Sequence, residues 1–168
     1  MVPGAFRGST ALSLRRELAK ICDDLFWQKG CDVIVFLSDA DEANWREIQR
    51  GEVGKLPDDM QPFAVYGMAD RNIECWLCAD PQYIAKIKER AAEDFAVDDP
   101  KGAFESAMDV SRDDKRESEI AQLVSEAPAP VLKRWLANSR SFEDFYDQLR
   151  AVSKQRECVI ENLRESGP

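Results

Sequence analysis

The stretch "VIVFLSDADEANW", Val33 to Trp45, decides the fold. Its first residues, Val33, Ile34, Val35, Phe36 and Leu37, are all apolar and three of them are β-branched. A short, continuous run of this kind predicts a strand over Asp32–Ser38, covered on both faces as in a parallel sheet. The chain then turns acidic at Asp39, Asp41 and Glu42, and "EANWREIQR" predicts a short helix with Trp45 and Ile48 inward. A loop carrying Gly51, Gly54, Pro57 and Pro62 leads to "FAVYGM", Phe63 to Met68, which reads as a second strand. The unit is therefore β-α-β, a parallel arrangement.

Outward from this unit the pattern becomes helical. Before it, Leu14, Leu18, Ile21, Cys22 and Leu25 recur at helical spacing, with Ser9 or Thr10 placed to cap the start. Beyond Asp70, "RNIECWLCAD", "PQYIAKIKERAAEDF", "DKRESEIAQLVSEA", "PVLKRWLANS" and "SFEDFYDQLRAVSKQRECVIENL" all predict helices, interrupted at Pro81, Pro100 and the "APAP" of Ala127 to Pro130. The expected organisation is an α/β core over residues 1–100 and a helical extension over 101–168 packed on it. The four tryptophans, Trp27, Trp45, Trp76 and Trp135, sit at helix-interior spacings and are expected mostly in the core.

Composition narrows the chemistry. The 168 residues are 44% hydrophobic and 33% charged, as in a globular domain, and no apolar run approaches a membrane span or a signal peptide. A soluble, cytoplasmic protein is expected. Five cysteines without an export signal predict reduced thiols. There is no histidine, which removes the commonest general base and metal ligand. A formal charge of −9 argues against a surface built for strong non-specific nucleic-acid binding.

Two acidic segments remain. Asp39 or Asp41 fits an N-cap for the helix that follows. Equally, an i, i+2 carboxylate pair at the carboxyl end of a parallel strand can converge on one divalent cation, and hard oxygen ligands suit Mg²⁺ or Mn²⁺. The second segment, "GMADRNIECWLCADPQ" from Gly67 to Gln82, follows the second strand as "DADE" follows the first. Parallel strands would bring Asp70, Glu74 and Asp80 to the same sheet edge as Asp39 and Asp41. Glu74 also fits an ordinary first-turn acid favoured by the helix dipole.

The pairing of "VIVFLSDAD" with "ADRNIECWLCAD", followed by "KRESEIAQLVSEAP" and "SRSFEDFYDQL", resembles a Toprim-like family of proteins often found beside ATPases in bacterial defence loci. The resemblance covers about Arg7 to Leu149. It implies a small, mainly parallel Toprim-like sheet flanked by helices, with a C-terminal helical extension. It further implies that Asp39 and Asp41 are metal ligands and that Glu74 and Asp80 form the second acidic motif of a Mg²⁺- or Mn²⁺-dependent nuclease or phosphoryl-transfer site, with Asp39, Asp41 and Glu74 catalytic. By the same resemblance Lys101 and Lys115 are phosphate or nucleic-acid contacts. A Toprim site also expects a glutamate ending an earlier strand, and residues 1–10 contain no acid. The expectation is a subunit completed by a partner chain, possessing an ATPase neighbour that brings the nucleic acid. The alternative is a non-catalytic Toprim-like adaptor for that ATPase, and a third class is a small-ligand or nucleotide-binding α/β protein with no nuclease role, for which no glycine-rich phosphate loop is visible.

Weaker signals complete the reading. "CWLC", Cys75 to Cys78, is flanked by acids that raise thiol pKa values, against redox catalysis, and one close pair is not a zinc ligand set. Lys133, Arg134 and Arg140 read mainly as a solvated helix face, with a nucleic-acid or partner contact as the other reading.

Overall fold

The computed structural model of the chain describes residues 11–41, 44–96, 98–108, 113–160 and 162–164, without the side chains of residues 11–15, 108 and 113–117. Among these residues the protein is mixed α/β, with eight α-helices and one two-stranded parallel sheet. None of those helices is long and apolar enough to cross a membrane. The chain divides into two compact units, Met1–Arg71 with Asp144–Ile160, and Asn72–Glu143 with Glu161–Pro168.

The first unit opens with α1 (Ala11–Asp23), which runs into a π-helical turn over Asp24–Gln28. The expected caps Ser9 and Thr10 lie outside the described residues. Leu18, Ile21 and Cys22 are buried, as their helical spacing requires, and pack with Ile34, Phe36, Trp45, Leu56, Met60, Tyr66 and Met68 into one core. Strand β1 (Ile34–Asp39) pairs in parallel with β2 (Ala64–Ala69), Ile34 opposite Ala64 and Asp39 opposite Ala69. Helix α2 (Trp45–Val53) makes the crossover, with Trp45 buried and Ile48 half-buried against the core. The β-α-β unit is thus present.

Period two decides which face of β1 is covered. Ile34 and Phe36 are buried, and the Phe36 ring lies 5.7 Å from that of Tyr66. Val35 and Leu37 point the other way and remain 46% and 48% exposed. The expected burial of this strand on both faces is therefore corrected: a continuous apolar run does not by itself report two covering layers.

The outer edge of β2 is closed by side chains. Gln148, on α8 (Arg140–Gln155), accepts from the Tyr66 N–H at 3.0 Å and donates to the Tyr66 carbonyl at 3.2 Å, as a residue of a third strand would. Gln49 of α2 donates to the same carbonyl at 2.7 Å. Asp144 holds both amides, accepting from Gln49 at 2.8 Å and from Gln148 at 2.7 Å. The i, i+4 spacing of Asp144 and Gln148 puts both on one helix face.

The second unit contains α3 (Glu74–Leu77), α4 (Pro81–Lys88), α5 (Pro100–Met108), α6 (Asp113–Glu126) and α7 (Ala129–Asn138). In three of them, α4, α5 and α7, a proline stands in the first turn rather than merely separating helices. Pro81 and Pro100 are first residues and Pro130 is second, positions where the missing N–H costs nothing. Leu77, Ile84, Phe95, Phe104, Leu123, Val131 and Trp135 form its core. The Phe142 ring sits edge-on to Trp76 at 5.4 Å and to Trp135 at 5.7 Å, and the Trp76 indole N–H donates to Ser141 Oγ at 2.7 Å.

Two further expectations are corrected. Trp45, Trp76 and Trp135 are core, but Trp27, in the π-helical turn after α1, is 61% exposed: the helical period itself sets it opposite Leu18, off the buried stripe. The last helix does not run through Cys158. It ends at Gln155, where Glu157 takes a left-handed conformation (φ 55°) and the Cys158 N–H closes back on the Ser153 carbonyl at 2.9 Å.

Candidate functional site

The carboxyl ends of the parallel pair lie in the first unit. Asp39 is the last residue of β1, and its period-two phase places it on the face of Val35 and Leu37. The ladder extends past the strands: the Ala40 N–H donates to the Ala69 carbonyl at 3.1 Å and the Asp41 N–H to the Arg71 carbonyl at 2.8 Å. Both Asp41 (φ 61°) and Arg71 (φ 64°) occupy the left-handed region. That region costs a non-glycine residue about 1 kcal/mol, less for aspartate. Asp41 is exposed, and Asp70 stands between the two tied positions on β2's exit.

The capping alternative for this pair is not what the structure shows. The N-cap of α2 is Asn44, three residues beyond Asp41, and its side-chain amide donates to Glu47. Asp39 and Asp41 are thus strand-end carboxylates rather than helix caps.

Glu74 and Asp80 belong to the second unit, so the four carboxylates named from the sequence are divided between the two. Glu74 opens α3 and is 1% exposed. Asp80 is 3% exposed at the N-cap of α4, but its side chain makes no cap bond. Instead Arg134 Nε, on α7, donates to Asp80 Oδ2 at 2.6 Å. Asn138, one turn further along α7, donates to the Ala79 carbonyl at 2.8 Å. Together they clasp the α3–α4 joint. A carboxylate this buried needs such a cation close by.

Two of the thiols, Cys22 and Cys78, are held protonated at neutral pH. Burial pushes Cys78 up to about 12, with Cys75 and Glu74 beside it adding in the same direction, and burial alone pushes Cys22 up to about 11. Protonated thiols are poor nucleophiles, in keeping with the reading of "CWLC" as a non-redox pair.

Lys101, expected to contact phosphate, is half-buried in the first turn of α5. Lys115 lies in α6, and its side chain is outside the described residues. Of the three cations grouped near Trp135, Arg134 is committed to Asp80, and Arg140 pairs with Glu143 at 3.0 Å. A groove of about 550 Å³ along the second half of α8 is lined by Asp147, Arg150, Lys154, Cys158, Val159 and neighbours, none of them an expected site residue.

Among the described residues, no group of three or more His, Cys, Asp or Glu side chains is arranged to hold a metal ion. Sequence reasoning missed the Gln49–Asp144–Gln148 clamp on Tyr66 and the partner of Asp80. For the clamp only the i, i+4 spacing of Asp144 and Gln148 was there to be seen. No family model, no curated protein and no solved structure matches this chain.

Proposed function

We propose that this chain is a non-catalytic, Toprim-like adaptor subunit that binds a protein partner, an ATPase of a bacterial defence complex by the family resemblance. The observation that carries this reading is the ion pair of Asp80 with Arg134. It commits a carboxylate of the second acidic motif to holding two helices together, which leaves less of that motif for metal chemistry. The acidic balance of the chain, −9, suits a basic partner that carries the nucleic-acid-binding charge itself.

A second reading, a Mg²⁺- or Mn²⁺-dependent nuclease subunit completed by the partner, is favoured by one observation. Asp39 and Asp41 stand at the carboxyl end of a parallel strand, the position from which α/β folds direct their sites. In that reading Asp39 and Asp41 carry the metal-assisted hydrolysis.

One experiment separates the two. The complex with neighbouring gene products is purified with wild-type chain and with Asp39→Ala, and cleavage of single- and double-stranded DNA and RNA is measured with Mg²⁺ or Mn²⁺. The adaptor reading expects equal activity in both complexes and none from the chain alone. Loss of cleavage in the Asp39→Ala complex, with assembly intact, supports the nuclease reading and removes the adaptor.

A further inference from the structure

We infer that the outer edge of β1 accepts an extended strand from a basic protein partner, which adds to the sheet beside Val35 and Leu37. This deepens the adaptor reading by naming the surface and the chemistry of its occupant. Its test uses neither the ATPase nor a nuclease readout, so either idea can fail while the other stands.

The argument begins with backbone direction. In a parallel pair, alternate residues turn both their N–H and C=O toward the neighbouring strand. The Ala40 N–H donates to the Ala69 carbonyl, so Ala40, Ser38 and Phe36 face β2 and Val35 and Leu37 turn their peptide groups outward. The same two residues carry exposed side chains. An edge strand of this kind, apolar and without a lysine, proline or bulge, is what folded proteins ordinarily avoid unless another strand covers it.

The opposite edge does not offer the same opportunity. At Tyr66 the backbone groups of β2 are occupied by Gln148 and Gln49, and the Ala64 N–H is taken by the Gln61 carbonyl. Strand addition is thereby directed to β1.

Charge selects the occupant. The edge is bracketed by exposed Asp32 before the strand and exposed Asp41 past its exit, with no lysine or arginine between them in the chain. A second copy would bring the same acids and another net charge of −9 to the contact. An incoming strand with small or β-branched apolar residues at alternate positions and lysine or arginine at both ends meets the opposite conditions: main-chain hydrogen bonds to Val35 and Leu37, apolar contact beside their side chains, and ion pairs at the flanks.

The test uses a fluorescein-labelled peptide of alternating valine and threonine with two lysines at each end, titrated into the whole chain. Anisotropy should show saturable binding, and amide NMR shifts should concentrate at Val35, Leu37 and their neighbours. Leu37→Pro removes an outward N–H without breaking a bond to β2 and should weaken binding at least about tenfold. Val35→Lys, with the same helical circular dichroism as wild type, should weaken it similarly, which guards against a folding defect in the proline variant. Any of the following overturns the proposal: no saturable binding, shifts elsewhere than β1, or equal binding of the same peptide with glutamates for lysines. So does a dimer of the free chain that Val35→Lys dissolves, or peptide binding that appears only after removal of residues 1–10, which would make a second copy or the chain's own N-terminal segment the occupant.

Discussion

The two edges of the sheet are finished in opposite ways. On β2, the Tyr66 backbone is answered by a glutamine side chain that stands in for a neighbouring strand, with Asp144 fixing its amide. On β1, peptide groups and two large apolar side chains face outward together. The difference teaches that a two-stranded sheet need not be symmetric in what it lacks. One edge is met at Tyr66 by side chains of the same fold, and the other presents Val35 and Leu37 outward.

The comparison can be broken or sharpened by substitution. Phe36→Ala strikes the core that both strands share and should cost about 4 kcal/mol in chemical denaturation, enough to abolish both edges together. Arg134→Ala is the control in the second unit. It leaves Asp80 buried without its cation and should cost about 2 kcal/mol, at the low end for a buried pair because Arg134 itself is half-exposed, while leaving amide exchange at β1 and β2 unchanged. Gln148→Leu orphans the Tyr66 N–H and should cost about 1 kcal/mol, with a selective rise in Tyr66 amide exchange. Asp41→Gly relieves a left-handed aspartate and should change stability by a few tenths of a kcal/mol, in the stabilising direction, without touching either edge.

A pH titration examines Cys78 in the second unit, read as the difference between wild type and Cys78→Ala because Cys22 in the first unit titrates in the same range. The Cys78 thiol is raised from 9.0 to about 12 in the folded state, so the unfolded chain loses that proton first as pH rises. Its stabilising contribution is complete below pH 9 and is lost between 9 and about 12. Cys78→Ala should flatten that decline, and alkylation of the native chain at neutral pH should label exposed Cys158 while sparing Cys22 and Cys78.

The sequence made the β-α-β unit legible because its signals are local. A β-branched run, a helical period and a second apolar run each declare themselves within a few residues. Burial on the second face of β1 was not legible, since what covers a strand is set by elements far away in the chain. The same holds for Asp80, whose partner Arg134 is 54 residues distant, and for Tyr66, clamped from Gln148 at a separation of 82. The exit acids of β1 were located from sequence, and their alternative role as caps fell only when the helix was seen to begin after Asn44. Trp27 was misplaced although the helical period itself sets it opposite Leu18, off the buried stripe.

Residue-resolved hydrogen exchange of the purified chain is the most direct test of this account. It predicts that the Tyr66 amide is protected while the Val35 and Leu37 amides, in the same sheet, exchange nearly as fast as free peptide groups. Val35 and Leu37 amides as slow as Tyr66, or a Tyr66 amide as fast as theirs, would contradict the asymmetry on which the proposed strand addition rests.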